Sequence, residues 1–209
     1  MRIELRDDSV LIDGYVNAVE RDSRPLLDEK GERFVERIMP TTFRRAIERS
    51  DNIYCLLNHE DSRVLGSTKD GNVELYEDNV GLRAICNITD SEVIEKARDN
   101  KLRGWSFGFE LLKSSEEPVS EGLKRRFVED MRLLEVSIID DRKLPAYIGT
   151  SIETRAQKEC KIEYRASGFE PKVIDLRSKE KSAETQQTPS DNYYRTLEKN
   201  INLLNFGGR

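Results

Sequence analysis

Histidine is almost missing from this chain of 209 residues: the only one is His59. A mechanism that needs a base titrating near neutral pH must use this residue or do without histidine. Cysteine is scarce as well. Cys55, Cys86 and Cys160 are odd in number, far apart and form no C-x-x-C. That pattern argues against a disulfide framework. With a single histidine it also leaves no ligand set spaced for zinc, so no metal and no cofactor are expected. Cys55 and Cys86 lie in apolar runs and read as buried free thiols. No apolar run approaches the ~20 residues that span a bilayer, and Met1-Arg2-Ile3-Glu4-Leu5-Arg6 lacks a signal-peptide core. A cytoplasmic protein without membrane contact is expected. Basic blocks interleaved with aromatics are absent, and 35 Lys+Arg face 40 Asp+Glu for a net charge of −5. Nucleic acid is therefore not an expected partner.

Charge is what the chain has in quantity. Charged residues make up 36%, as much as the hydrophobic set, and aromatics only 7%. Such a balance predicts one core domain, residues 1–155, with a polar appendage. Most of that domain reads as strands. Ser9 to Val19 and Phe34 to Met39 are rich in β-branched and apolar residues. Ile53 to Leu57 reads as a buried strand. Asn72 to Glu77 alternates, Asp78-Asn79 turns, and Val80 to Ile88 completes a hairpin. Further strands are predicted at Trp105 to Leu112, Leu123 to Glu129 and Arg132 to Ile139, with a loop through Glu116-Glu117-Pro118 and Ser120-Glu121-Gly122. Pro40-Thr41-Thr42 opens a short helix, with a threonine as its cap and Phe43, Ala46 and Ile47 inward. A second helix is predicted from Asp90 or Ser91 to about Asn100. Many short strands with few helices predict a mainly β fold with flanking helices, α+β, in the form of a small barrel or curved sheet.

Composition shifts near Thr150. Residues 156–190 are rich in charge, Gln and Ser, and bury too little apolar area to offset ordering entropy. The stretch 156–209 is expected to be a flexible charged tail. Tyr194, Leu197, Ile201 and Leu204 fall at helical spacing and mark a terminal amphipathic helix at about 190–205.

Three segments can carry chemistry. His59 closes the apolar run Ile53-Tyr54-Cys55-Leu56-Leu57-Asn58. Ser106 sits in Gly104-Trp105-Ser106-Phe107-Gly108-Phe109, framed by glycines and aromatics. A serine hydroxyl becomes a nucleophile only when a neighbouring base takes its proton. The plain alternative is a strand serine with glycines marking a bulge. The pattern is not a nucleophile elbow, because strand continues after it. Glu135 lies in Leu133-Leu134-Glu135-Val136-Ser137-Ile138, a carboxylate inside an apolar strand. A buried carboxylate needs a partner. An imidazole is one; Arg132 or Lys124 on a neighbouring strand is the other reading. Asp61, Asp140 and Asp141 compete with Glu135 for the acid role. Cys55 with His59 is a rival nucleophile and base, but in an extended strand they stand about 13 Å apart.

These segments belong to an ordered series. It runs Phe34-x-Glu36, Ile38-x-Pro40-x-x-Phe43, Leu57-Asn58-His59, Leu65-Gly66-Ser67-Thr68, Gly71, Leu75 and Gly81-Leu82. It continues Arg103-Gly104-Trp105-Ser106-Phe107-Gly108-Phe109, Leu134-Glu135-Val136-Ser137-Ile138 and Pro145-Ala146-Tyr147. The series resembles the tailed-bacteriophage prohead (capsid maturation) protease family, distant relatives of the herpesvirus assemblins, over roughly residues 9–155. The resemblance implies a serine endopeptidase on an assemblin-like small β-barrel. It gives Ser106 the nucleophile role, His59 the base role and Glu135 the third place. It also implies an arginine-bearing oxyanion loop, for which Arg142 is the match, with donors near Gly104 and Gly108 in support. The implied partners are scaffold protein and the major capsid protein, whose scaffold-like N-terminal segment would be cut, along with self-association and self-cleavage. The implied place is the assembling prohead in the host cytoplasm. The competing reading is a non-enzymatic capsid-assembly module on the same fold.

Overall fold

The computed structural model describes residues 1–28, 30–142, 162–168 and 171–177. The order of elements is β1 (Arg2–Leu5), β2 (Val10–Ala18), β3 (Leu26–Leu27), β4 (Arg33–Ile38), α1 (Thr42–Arg49), β5 (Tyr54–Leu57), β6 (Val64–Ser67), β7 (Val73–Glu77), β8 (Gly81–Ile88), α2 (Ser91–Arg98), β9 (Leu102–Ser120), β10 (Leu123–Asp140), β11 (Ile162–Gly168) and β12 (Lys172–Asp175). Among the described residues the fold is mainly β with two helices, the α+β class that the sequence predicts. Met1–Arg177 make one compact unit.

The expected barrel is not what the strands build. Two sheets form among the described residues, and neither closes. One has the order β12-β1-β2-β8-β7; the other runs β11-β9-β10-β4-β3, with β5 added to β10 and β6 to β5. Each path ends on strands with a neighbour on one side only, so the ladder does not return on itself.

Strand β10 organises the second sheet. Its first half pairs in parallel with β4, Leu123 to Val128 against Arg33 to Ile38. Its second half pairs in parallel with β5, Glu135 to Ile138 against Tyr54 to Leu57. Helix α1 connects β4 to β5, so two short strands share one side of a long one. Strand β9 covers the other side of β10, antiparallel and with several bulges. The loop expected at 116–122 is smaller than predicted. Strand continues to Ser120, and only Glu121-Gly122 turn, with Gly122 at φ 70°. A tight two-residue turn of this kind favours glycine, which adopts positive φ without Cβ strain.

The packing explains the aromatic run on β9. Side chains alternate between the faces of a strand, so Trp105, Phe107 and Phe109 share one face and are wholly buried. Phe43 of α1 meets Phe107 edge-on with centroids 5.4 Å apart, and Phe107 stacks on Phe109 at 5.4 Å. Each such buried side chain contributes about 1.5–3 kcal/mol by burial. The opposite face of the same segment carries only Gly104, Ser106 and Gly108, a shallow strip left for other groups.

Both helices lie near their predicted places, but the first is capped differently. Thr41 sits in the left-handed region and its hydroxyl makes no cap bond. Instead Glu77 of β7 accepts from the N–H of Thr41 (2.6 Å) and of Arg44 (2.8 Å). At α2, Asp90 caps by accepting from the N–H of Val93 at 3.0 Å. The stretch read from composition as a charged tail contributes two strands, β11 and β12, one to each sheet. β11 is held by ladder bonds and paired charges, and β12 by ladder bonds and by Val173 packed against the core, none of which composition registers. The helix expected at about 190–205 lies outside the described residues.

Candidate active site

Residue His59 follows β5 in a short loop to β6. Asn58 and His59 both adopt left-handed backbone, φ 56° and 60°. Such conformations are uncommon for residues other than glycine and persist where surroundings enforce them. Here the enforcement is visible. The N–H of Asn58 donates to the Ile138 carbonyl (2.9 Å), and that of His59 to Ser137 Oγ (3.1 Å). Asn58 Oδ1 accepts from the N–H of Asp140 at 3.1 Å. The loop is thereby fastened to β10, and the imidazole turns onto the glycine strip of β9.

Three side chains predicted from the sequence meet there. Ser106 Oγ lies 2.7 Å from His59 Nε2, and Glu135 Oε1 lies 2.7 Å from Nδ1. Their exposures are 1%, 8% and 7% for Ser106, His59 and Glu135, so the chain of bonds is buried. With Glu135 ionised, Nδ1–H is the donor to it, which leaves Nε2 free to take the Ser106 proton. The neighbours of Glu135 make this pairing decisive. Arg132 pairs with Glu110 and Lys124 with Glu32, so neither serves Glu135. Asp140 is taken by Lys96 (3.0 Å) and Arg142 (2.9 Å). Burial would push its carboxyl up, but Lys96, Asn58 and Arg142 outweigh that and hold it below the ordinary carboxylate range.

Sequence reasoning missed Ser137. It donates to Glu135 Oε2 at 2.5 Å while accepting from the His59 backbone, so one hydroxyl ties Glu135 and His59 together. The signal was present in Glu135-x-Ser137, since residues two apart on a strand share a face. Gly108 also has a concrete role. A Cβ there would meet Glu135 Oε1 at 2.6 Å and the Tyr164 ring at 2.8 Å. The glycine makes room for both the carboxylate and the aromatic ring. Gly104 pairs with Ile139 on one side and Gly168 on the other. Arg142, the expected oxyanion residue, directs its guanidinium to Asp140 and Glu92.

Cys55 is no rival. It is fully buried, and a hydrogen bond with the free thiol of Cys86 together with burial pushes its own thiol well above the ordinary range. A thiol held that way does not supply thiolate.

Strand β11 was not foreseen as part of the site. It pairs antiparallel with β9, with Ala166 opposite Ser106, Arg165 opposite Phe107 and Tyr164 opposite Gly108. Ser106 Oγ lies 2.7 Å from the Arg165 carbonyl oxygen. The Tyr164 ring meets His59 edge-on at 4.4 Å.

Ser106, His59 and Glu135 thus stand in bonded sequence, an order that can serve a serine hydrolase. The model of the caudovirus prohead serine protease family matches residues 1–163. The chain belongs to that family. A comparison with curated proteins and one with solved structures each returned no match. The family match takes in His59, Ser106 and Glu135 and stops inside β11. Membership makes this a phage head maturation protease, acting on capsid components within the assembling head. Among the described residues no helix is long and apolar enough to cross a membrane.

Proposed function

We propose that the chain is a serine endopeptidase with a Ser106–His59–Glu135 triad. Its substrate is scaffold protein or the scaffold-like N-terminal segment of the major capsid protein, and it also cleaves itself. The observation that carries this reading is the unbroken bonding from Glu135 through His59 to Ser106, each contact 2.7 Å.

The chemistry follows from the geometry. His59 Nε2 takes the hydroxyl proton as Ser106 Oγ adds to the scissile carbonyl carbon. Glu135 fixes the tautomer and stabilises the imidazolium. Collapse breaks the C–N bond, and the imidazolium gives its proton to the leaving amine. Water, deprotonated by the same nitrogen, then hydrolyses the ester and restores Ser106. Backbone donors near Gly104 and Gly108 and the Arg142 loop are the proposed oxyanion contacts.

The test is intact mass over time for wild type and Ser106→Ala, each alone and with the cognate capsid protein. Truncation of the capsid N-terminus by wild type and not by Ser106→Ala is the expected result. Equal truncation by both removes Ser106 from the mechanism. No truncation by either favours a capsid-binding module without chemistry.

A further inference from the structure

Glu36, part of the Phe34-x-Glu36 motif, plays no part in the triad, yet it is 3% exposed. It faces Arg126 across the β4–β10 ladder, where the two are register partners. Arg126 Nε donates to Glu36 Oε2 at 3.0 Å. Strand β11 adds two more charges on the same face. Arg165 donates to Glu36 through Nε (2.7 Å) and Nη2 (2.9 Å). Glu163 accepts from Arg126 at 2.5 and 3.2 Å. The Arg165 guanidinium also lies over the Phe109 ring, 5.4 Å from its centroid. Four charges thus alternate in sign, two from β4 and β10 and two from β11; Glu36, Glu163 and Arg165 are buried and Arg126 partly so.

The other face of β11 meets the triad. Tyr164 covers His59, and the Arg165 carbonyl oxygen lies against the nucleophile. A C=O bond is about 1.2 Å long, so the carbonyl carbon is within about 4 Å of Oγ. That is close to the separation from which attack begins, roughly 3–3.5 Å. The Arg165–Ala166 peptide of the chain itself thus lies beside the nucleophile, its carbonyl oxygen turned to Oγ. The hydrogens explain why the seated strand can persist. Oγ has one hydrogen and two acceptors near it, Nε2 and the Arg165 carbonyl. While the carbonyl receives it, the hydroxyl proton is not directed at Nε2, and transfer to the base requires the hydroxyl to turn.

Building on the proposed endopeptidase reading, we infer that Glu36 and Arg126 form paired specificity subsites. They select an extended segment carrying an acidic residue two positions before a basic one, and the bond after the basic residue is the one hydrolysed. Strand β11, with Glu163, Tyr164 and Arg165, occupies these subsites as an internal stand-in for substrate. Peptide addition along a strand edge gives affinity through the backbone and selectivity through alternate side chains. Selectivity arises because a segment with other charges would leave the buried Glu36 or the partly buried Arg126 incompletely paired. The covalent steps are those of the triad: an Oγ–C ester forms as the C–N bond breaks, the amine leaves with the proton from His59, and water releases the acid.

The test uses the full chain, wild type and the double variant Glu163→Lys/Arg165→Glu, which changes only β11. A fluorophosphonate reports access to Ser106. Synthetic peptides of residues 161–170, in native sequence and with the same charge swap, report selectivity by mass spectrometry. We expect at least tenfold faster labelling of the double variant. We also expect cleavage of the native peptide after its arginine, at least tenfold faster than any cleavage of the swapped peptide. Both peptides are offered to wild type too, so the comparison stands even if the double variant does not fold. Labelling without preference for the native peptide, whether both are cut alike or neither is cut, overturns the subsite inference and leaves the triad intact. A folded chain that is neither labelled nor active on either peptide overturns the nucleophile assignment, and the subsites with it.

Discussion

Ser137 donates to Glu135 Oε2 at 2.5 Å and receives the backbone N–H of His59 at 3.1 Å. The hydroxyl touches no reacting atom. It holds the carboxylate and the His59 turn in one frame, which makes it a positioning residue. A hydrogen bond to a charged group is worth about 1.5–3 kcal/mol. Ser137→Ala should therefore lower kcat by about ten- to a hundredfold, with KM little changed. Steady-state kinetics on a capsid-derived peptide separate the two constants. A rise in KM at constant kcat would show that Ser137 serves binding instead.

The Gly108 position tests how tightly the site is packed. A methyl group there meets the Glu135 carboxylate at 2.6 Å and the Tyr164 ring at 2.8 Å. Neither gives way freely, because Glu135 is bonded at both oxygens. Gly108→Ala should cost about 1–3 kcal/mol of stability through overpacking and at least tenfold in activity. Thermal melting with a peptide assay checks both. An active, unperturbed Gly108→Ala protein would mean that Glu135 is not held where it is seen.

Much of this site could be read before the fold was known, and the reason is chemical scarcity. One histidine permits one histidine-based constellation, and Glu135 stands out because its neighbours are apolar. The alternation on β9 separates aromatic from small residues, so the run Gly104 to Phe109 marked both a core and a site. What could not be read was long-range. Bulges let β9 and β10 run on as continuous strands where shorter pieces with a loop were expected. Arg126, Glu163 and Arg165 look like solvated charges in sequence, and only pairing across strands accounts for the burial of Glu163 and Arg165 and the partial burial of Arg126. Strand β11 was hidden for the same reason: composition counts apolar area, and β11 is held by ladder bonds and ion pairs.

The proposed triad predicts a graded series. Ser106→Ala and His59→Ala should fold normally and lose activity by about three to six orders of magnitude. Glu135→Gln should be milder, because its amide oxygen still accepts from Nδ1–H and the Ser137 hydroxyl can rotate to accept from the new N–H. Thermal melts confirm folding, and peptide hydrolysis gives the ranking. If Glu135→Gln were as inactive as His59→Ala, the carboxylate charge would be the essential property and orientation alone would not suffice.

The charge cluster under β11 makes the seating of that strand depend on pH. Burial alone would raise the Glu163 carboxyl, but Arg165 and Arg126 outweigh it and hold it below the ordinary range. A carboxylate depressed in the folded state contributes stability above its unfolded value, about 4.3. That contribution is lost as pH falls through the lower folded value. The arginine partners do not titrate in this range. At neutral pH, Glu163→Gln should loosen β11 by about 1–3 kcal/mol, the cost of leaving buried partners unmatched. Hydrogen exchange of residues 162–168, corrected for the intrinsic rate at each pH, measures this directly. The ratio of wild-type to Glu163→Gln protection should be constant from pH 7 to pH 5 and should shrink as the pH drops below about 4.3. A ratio of one at neutral pH would mean that the ladder to β9 seats β11 without help from these charges.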